Sequence, residues 1–257
     1  MEELESLLDE KTRIVAAAHI SNVLGIINPI EELISKAHAK GIPVLVDGAQ
    51  GIVHAKVDVQ ALDCDFYAFS AHKIYGETGS GILYGKEELL EAMPPYMGGG
   101  DMVGTVTFAK TTYAPLPLKF EAGTPNFIGN AALKPALDFA YEIHNGELGK
   151  VVKESEESII AYMKNALSQI DGAVLYGNTD NKIPLFSFNI EGCHPGDIAQ
   201  LLDKMGIAVR TGMMCAEPLM TRFGVTSMVR ASFLPYNTLQ EAEYFIKCLN
   251  RAVNMLR

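Results

Sequence analysis

Basic charge is scarce in this chain. Its 21 lysines and arginines are outnumbered by 31 aspartates and glutamates, giving a formal charge of −10. Phosphate contacts need a basic surface, so a nucleic-acid partner is not expected. Long apolar runs are also missing: the longest are strand-length, too short to span a bilayer. The opening residues MEELESLLDEKTR are acidic and helical in character, without the basic start and apolar stretch of a secretory signal. Only four cysteines occur, Cys64, Cys193, Cys215 and Cys248, and no two form a C-x-x-C pair. That leaves neither a zinc-site spacing nor a disulfide framework, and free thiols suit a reducing compartment. The expectation is a soluble, cytoplasmic protein without membrane segments. With 257 residues, 48% of them hydrophobic, the chain can bury one large core or two smaller ones.

The front part alternates apolar strands with helical patterns. RIVAAAH (13–19) reads as a strand, and Asn28 as a helix cap with Pro29 at the first helical position. Glu31 and Glu32 then lie near the positive end of that helix, and Ile30, Leu33, Ile34 and Ala37 share one face. Gly41 closes it. IPVLVD (42–47), DFYAFS (65–70) and GILYG (81–85) follow as strands. Interleaved apolar strands and helices indicate an α/β sheet covered on both faces. Residues 94–127 are rich in Gly and Pro and read as long loops, usually functional or interfacial at such length. Helices are expected from Gly129 to Ile143 and from Glu147 to Ile170. Strands are expected at PLFSFNI (184–190) and VRASF (229–233). A last helix carries Leu239, Ala242, Ile246, Leu249, Val253 and Leu256 as a core-facing stripe. The domain boundary is placed within the second long helix, giving domains 1–150 and 151–257.

Three strand ends carry polar residues, where open parallel sheets bind ligands. VDGAQ presents Asp47 and Gln50, FSAHK presents Ser70, His72 and Lys73, and AHISNVLG presents His19 and Asn22. A lone aspartate after a strand is more often a turn residue, and a lone His-Lys pair is more often solvated surface. Together the types match one cofactor. Pyridoxal 5'-phosphate takes a lysine amine, an acid at its ring nitrogen, and hydroxyl and N–H donors at its phosphate.

The order SNVLG, DGAQ, SAHKIYG and a following G-x-G is similar to the class V aminotransferase family, and within it to group II cysteine desulfurases and selenocysteine lyases. The resemblance implies the fold type I (aspartate aminotransferase-like) transferase fold. By it, Lys73 is the Schiff-base lysine, Asp47 partners the pyridine nitrogen and Gln50 contacts the ring hydroxyl. Ser70 and His72 contact the phosphate, His72 also moves protons, and Asn22 lies beside substrate and ring. EAGTPN resembles a loop that crosses a homodimer interface, so Thr124 binds the phosphate of the other subunit. RTGMMCAEPLM resembles the mobile segment whose cysteine, here Cys215, accepts sulfur. MVRASFLPYNT resembles the strand whose arginine, here Arg230, clamps the substrate carboxylate, a task suited to a planar guanidinium fork. The remaining three cysteines sit in apolar contexts and read as core residues.

The implied activity is PLP-dependent removal of sulfur from L-cysteine, leaving alanine and a persulfide on Cys215 for a sulfur-acceptor protein. Selenocysteine lyase, or another class V lyase or aminotransferase, is the first alternative. An inactive remnant, or a subunit needing a complementing chain, is the second. Two departures from the family pattern stand out: Met213 and Met214 stand where two histidines are common, and Glu77 where proline is usual. The resemblance begins in the middle of the family's cofactor domain, so the chain is expected to be its larger, C-terminal part. The large-domain sheet is accordingly expected to be incomplete, beside a smaller C-terminal α+β domain.

Overall fold

A computed structural model describes residues 1–146 and 148–257. They form two compact units, one of Met1–His19 with Pro29–Tyr141 and one of Ile20–Asn28 with Glu142–Arg257. The second unit therefore includes a short excursion of the chain that begins just after the first strand.

In the first unit the order is α1 (Glu2–Leu7), β1 (Val15–Ala18), α2 (Ile30–His38), β2 (Val44–Asp47), α3 (Gly51–His54), α4 (Val59–Leu62) and β3 (Phe66–Ser70). A 3-10 turn over Ala71–Lys73 leads to β4 (Gly81–Gly85), α5 (Glu87–Ala92), β5 (Val103–Val106), β6 (Thr111–Tyr113) and α6 (Phe127–Asn145), which runs on into the second unit. The sheet order is β1-β2-β3-β4. The first three strands are parallel and β4 is antiparallel to β3. β4 is an edge strand, with Ile82 39% and Leu83 54% exposed on alternate sides. Ile30, Ile34 and Ala37 of α2 pack on Val44, Val46 and Tyr67, so the helical face and the strand period read from sequence meet in one core.

Two segments differ from the pattern expected of them. Asn28 does not hold the capping position of α2: Pro29 does, at φ −76° and ψ 67°, and the helix starts at Ile30. The proline ring suits a helical φ, but this ψ keeps it outside. Its carbonyl still accepts the first helical bond, from Leu33 N at 3.0 Å. The 94–127 stretch is not all loop, because β5 and β6 form an antiparallel hairpin. Val and Thr alternate too briefly there to outweigh the surrounding Gly and Pro, and Thr107 closes the turn by accepting from Lys110 N.

The second unit contains α7 (Leu148–Ser168), β7 (Ala173–Tyr176), β8 (Leu185–Ile190), α8 (Pro195–Lys204), β9 (Arg210–Gly212), α9 (Glu217–Phe223), β10 (Met228–Ser232) and α10 (Leu239–Leu256). Glu147, the expected first residue of α7, lies outside the described residues. The sheet order β7-β8-β10-β9 is antiparallel throughout. Phe186, Phe188 and Val229 face Met163, Leu202, Phe245 and Leu249 of the covering helices. Thr238 and Glu241 form a capping box that starts α10. Among the described residues no helix is long and apolar enough to cross a membrane.

Candidate active site

The carboxyl ends of the parallel strands gather the first group of expected site residues. Asp47 ends β2, level with Ala68 of β3, and Ser70 ends β3 two residues later. Lys73 closes the 3-10 turn that follows, half-buried beside the exposed His72. Its neighbours Ala71 and Ile74 are buried against Leu133, Ala136 and Ala140 of α6, which fixes the backbone that carries the amine. Ala71 N donates to Ser80 O at 3.0 Å, and Asn126 Nδ2 donates to Ser80 Oγ at 3.2 Å. The loop bearing the exposed Thr124 is thereby stitched to the lysine turn.

Beneath Asp47 lies a packing device with no local sequence signature. A Cβ on Gly48 would fall 1.9 Å from Tyr67 Cε1, and one on Gly51 would fall 2.4 Å from His19 Nδ1. Only glycine allows the turn to lie flat on these rings. Tyr67 and His19 share a hydrogen bond of 3.0 Å in the interior. Burial keeps the imidazole neutral further into the acid range, against an opposing pull from Glu31, and pushes the phenol up. Gln50 takes the capping position of α3, and Asp47 Oδ1 accepts from Ala49 N at 2.9 Å. The two glycines of DGAQG do not mark this device by themselves, because their ring partners are far away in sequence.

Asn22, Cys215 and Arg230 belong to the second unit. Arg230, on β10, is half-buried, and its Nη1 donates to Asn22 O at 2.8 Å. Its Nε is buried without a partner, and no carboxylate pairs with it among the described residues. Burial lowers its pKa; Arg210 pushes the same way, and a thiolate at Cys215 works against both. A desolvated guanidinium lacking its counter-charge suits an anionic ligand. Cys64, Cys193 and Cys248 are buried, whereas Cys215 is exposed. It sits between β9 and α9 in a turn where Met214 has φ +55° and Cys215 +59°. Left-handed geometry costs an L-residue roughly 1–2 kcal/mol, so this turn needs external support. The two methionines before Cys215 differ in fate. Met213 is 47% exposed, while Met214 is 6% exposed and packs with Val23, Tyr176, Met220 and Met228.

The family model described as aminotransferase class-V matches residues 1–245. The chain belongs to the class V aminotransferase family. Among class V relatives, a cysteine desulfurase of Cronobacter sakazakii is 47% identical over the whole chain, and one of Escherichia coli is 46% identical. The chain spans 62% of the length of either protein. Of solved structures, the cysteine desulfurase CsdA of Escherichia coli superposes with TM-score 0.92 at 41% identity, covering 100% of this chain and 63% of that one. The apo cysteine desulfurase of Thermococcus onnurineus gives 0.92 at 35% identity, covering 99% and 63%. The fold is thus the type I fold of the pyridoxal-phosphate transferases, with a four-stranded large-domain sheet.

Class V enzymes depend on pyridoxal phosphate, and the first unit's donors fit that group in kind. Lys73 makes no ion pair among the described residues, so its amine is not committed to a carboxylate. Asp47 spends one carboxylate oxygen on its own turn and keeps the other. Ser70 and His72 add a hydroxyl and an imidazole within three residues of the amine.

Proposed function

We propose that this chain carries the working groups of a cysteine desulfurase, which takes sulfur from L-cysteine, releases alanine and leaves a persulfide on Cys215. One observation carries the reading: a single exposed thiol and an unpaired amine at a parallel-strand end, in a chain 46–47% identical to proteins named cysteine desulfurase.

In this reading Lys73 holds pyridoxal phosphate, Asp47 faces its ring nitrogen and Gln50 its ring hydroxyl, and Ser70 and His72 hold the phosphate. Thr124 reaches the phosphate of a second subunit in a homodimer. When bound, the cofactor supplies an electron sink for the substrate carbon. The chain's own groups do the rest. Arg230 binds the substrate carboxylate through its planar fork, with Asn22 beside it. Lys73 Nζ moves the proton at the substrate α-carbon, and His72 moves the proton of the departing sulfur. Cys215 acts as thiolate. Its sulfur attacks the substrate sulfur, forming an S–S bond as the C–S bond breaks. The C–S pair passes to the substrate carbon, which is protonated to alanine. The outer sulfur of the persulfide then passes to the thiolate of an acceptor protein in the cytoplasm, leaving Cys215 as thiolate.

The test is alanine release and persulfide formation with L-cysteine or selenocysteine as substrate, using wild type and Cys215→Ser. Desulfuration of L-cysteine that Cys215→Ser abolishes, with the persulfide mapped to Cys215, supports the reading. Turnover of selenocysteine alone would make the chain a selenocysteine lyase. No turnover of either substrate would favour a remnant or a subunit awaiting its complement.

A further inference from the structure

The excursion Ile20–Asn28 is anchored in the second unit by bonds that owe nothing to substrate. Ser187 Oγ donates to Val23 O, and Ile27 N donates to Asn181 O at 3.2 Å. On this fixed segment Asn22 makes two contacts at once. Its backbone carbonyl accepts from Arg230 Nη1 at 2.8 Å, and its side-chain Nδ2 donates to Met214 O at 2.9 Å. That oxygen belongs to the peptide joining Met214 to Cys215, so the bond holds the peptide from which the thiol projects. The Met214 side chain is buried in the cluster with Val23, which fixes the turn from its other side. Met214 is therefore held both at its carbonyl and at its side chain, while the adjoining left-handed Cys215 stays exposed.

We propose that Asn22 is a positioning residue that keeps Cys215 in register with Arg230. One residue takes a hydrogen bond from the group that would hold the substrate carboxylate and gives one to the carbonyl preceding the nucleophile. A shift of Arg230 is thereby transmitted to the Cys215 turn through a single backbone segment. The functional meaning rests on the desulfurase reading, but the tether can be measured without turnover.

The experiment is amide hydrogen exchange of the full chain, read at Ala216, whose N–H donates to Met213 O at 2.9 Å, with α10 as internal reference. Asn22→Asp keeps the size and removes the donor. It is expected to speed exchange at Ala216 by about ten-fold, the scale of one lost hydrogen bond, with α10 unchanged. Arg230→Gln is expected to speed the same amide, and Asn22→Asp to add little on that background, because the two act in series. In turnover, Asn22→Asp should lower kcat for persulfide formation, and KM for L-cysteine should rise as well, because the new carboxylate lies beside Arg230. A rise confined to KM would make Asn22 a substrate contact only. Wild-type exchange at Ala216 in Asn22→Asp overturns the tether whatever the activity. Loss of protection in α10 as well would reduce Asn22 to general packing and also overturn it. An inactive wild type with the expected exchange pattern would sink the desulfurase reading and leave the tether standing.

Discussion

Gly48→Ala is the substitution most informative about the cofactor face. The new Cβ would lie 1.9, 2.3 and 2.6 Å from Cε1, Cζ and Oη of Tyr67, about 1.5 Å short of ordinary contact at the nearest atom. Tyr67 cannot yield easily: it is 1% exposed, bonded to His19 at 3.0 Å, and paired in register with Val46 and Tyr84. The softer side is the turn Asp47–Gln50, which must lift and carry Asp47 with it. Overpacking of this kind costs about 1–3 kcal/mol. Displacing Asp47 should weaken pyridoxal phosphate binding by about ten-fold or more, since positioned groups tolerate little misplacement. The chain has no tryptophan, so unfolding in urea is best followed by far-UV circular dichroism, and cofactor uptake by absorbance titration. A double-mutant cycle sharpens the result. On a Tyr67→Leu background the steric conflict is gone, so adding Gly48→Ala should cost much less than it does in wild type. A Gly48→Ala protein with wild-type urea midpoint and cofactor affinity, or strictly additive costs in the cycle, would show that the Tyr67 ring does not hold the Asp47 turn in place.

Two further predictions concern buried charge. In Asp65, burial alone would raise the pKa, but His38 at 2.7 Å, the Val44 N–H and Lys86 at 3.1 Å outweigh it and hold the carboxyl below its ordinary value. Its contribution is full above the ordinary carboxylate pKa and is lost as pH falls through the depressed one. Asp65→Asn should therefore destabilise the first unit by about 1–3 kcal/mol at neutral pH, with the difference from wild type shrinking in acid denaturant titrations. Lys182 is 5% exposed, lies over the Phe186 ring and donates to Gly177 O. Burial, helped by Lys164, lowers its amine to about 8 from an ordinary 10.5. Between those values the unfolded chain holds a proton that the folded one has released, so stability should rise with pH, by up to ~3 kcal/mol. Thermal melts of Lys182→Met should lose that slope and gain stability at pH 7.

Much of the fold was legible because it follows from short-range periodicity. The apolar faces of α2 and α10, the strand runs ending at Asp47 and Ser70, and the polar residues past them all rest on patterns a few residues long. What escaped depends on distant partners. Nothing near SNVLG announces that Val23 and Asn22 lie on β8, Arg230 and Met214 rather than with the strand before them. β7 and β9, of four and three residues, are too short to declare a period. Met214 read as a lost histidine, yet it is a core residue anchoring the Cys215 turn. The left-handed backbone at Met214 and Cys215 has no sequence signature, because neither is Gly or Asn.

We propose that Lys73, in the 3-10 turn that follows β3, is the residue that carries pyridoxal phosphate. Loading the purified chain with the cofactor, reducing it with borohydride and mapping the modified lysine by peptide mass spectrometry tests this directly. One pyridoxyl group on Lys73, absent in Lys73→Ala, is expected. A label on another lysine, or no label from a folded chain, would contradict it.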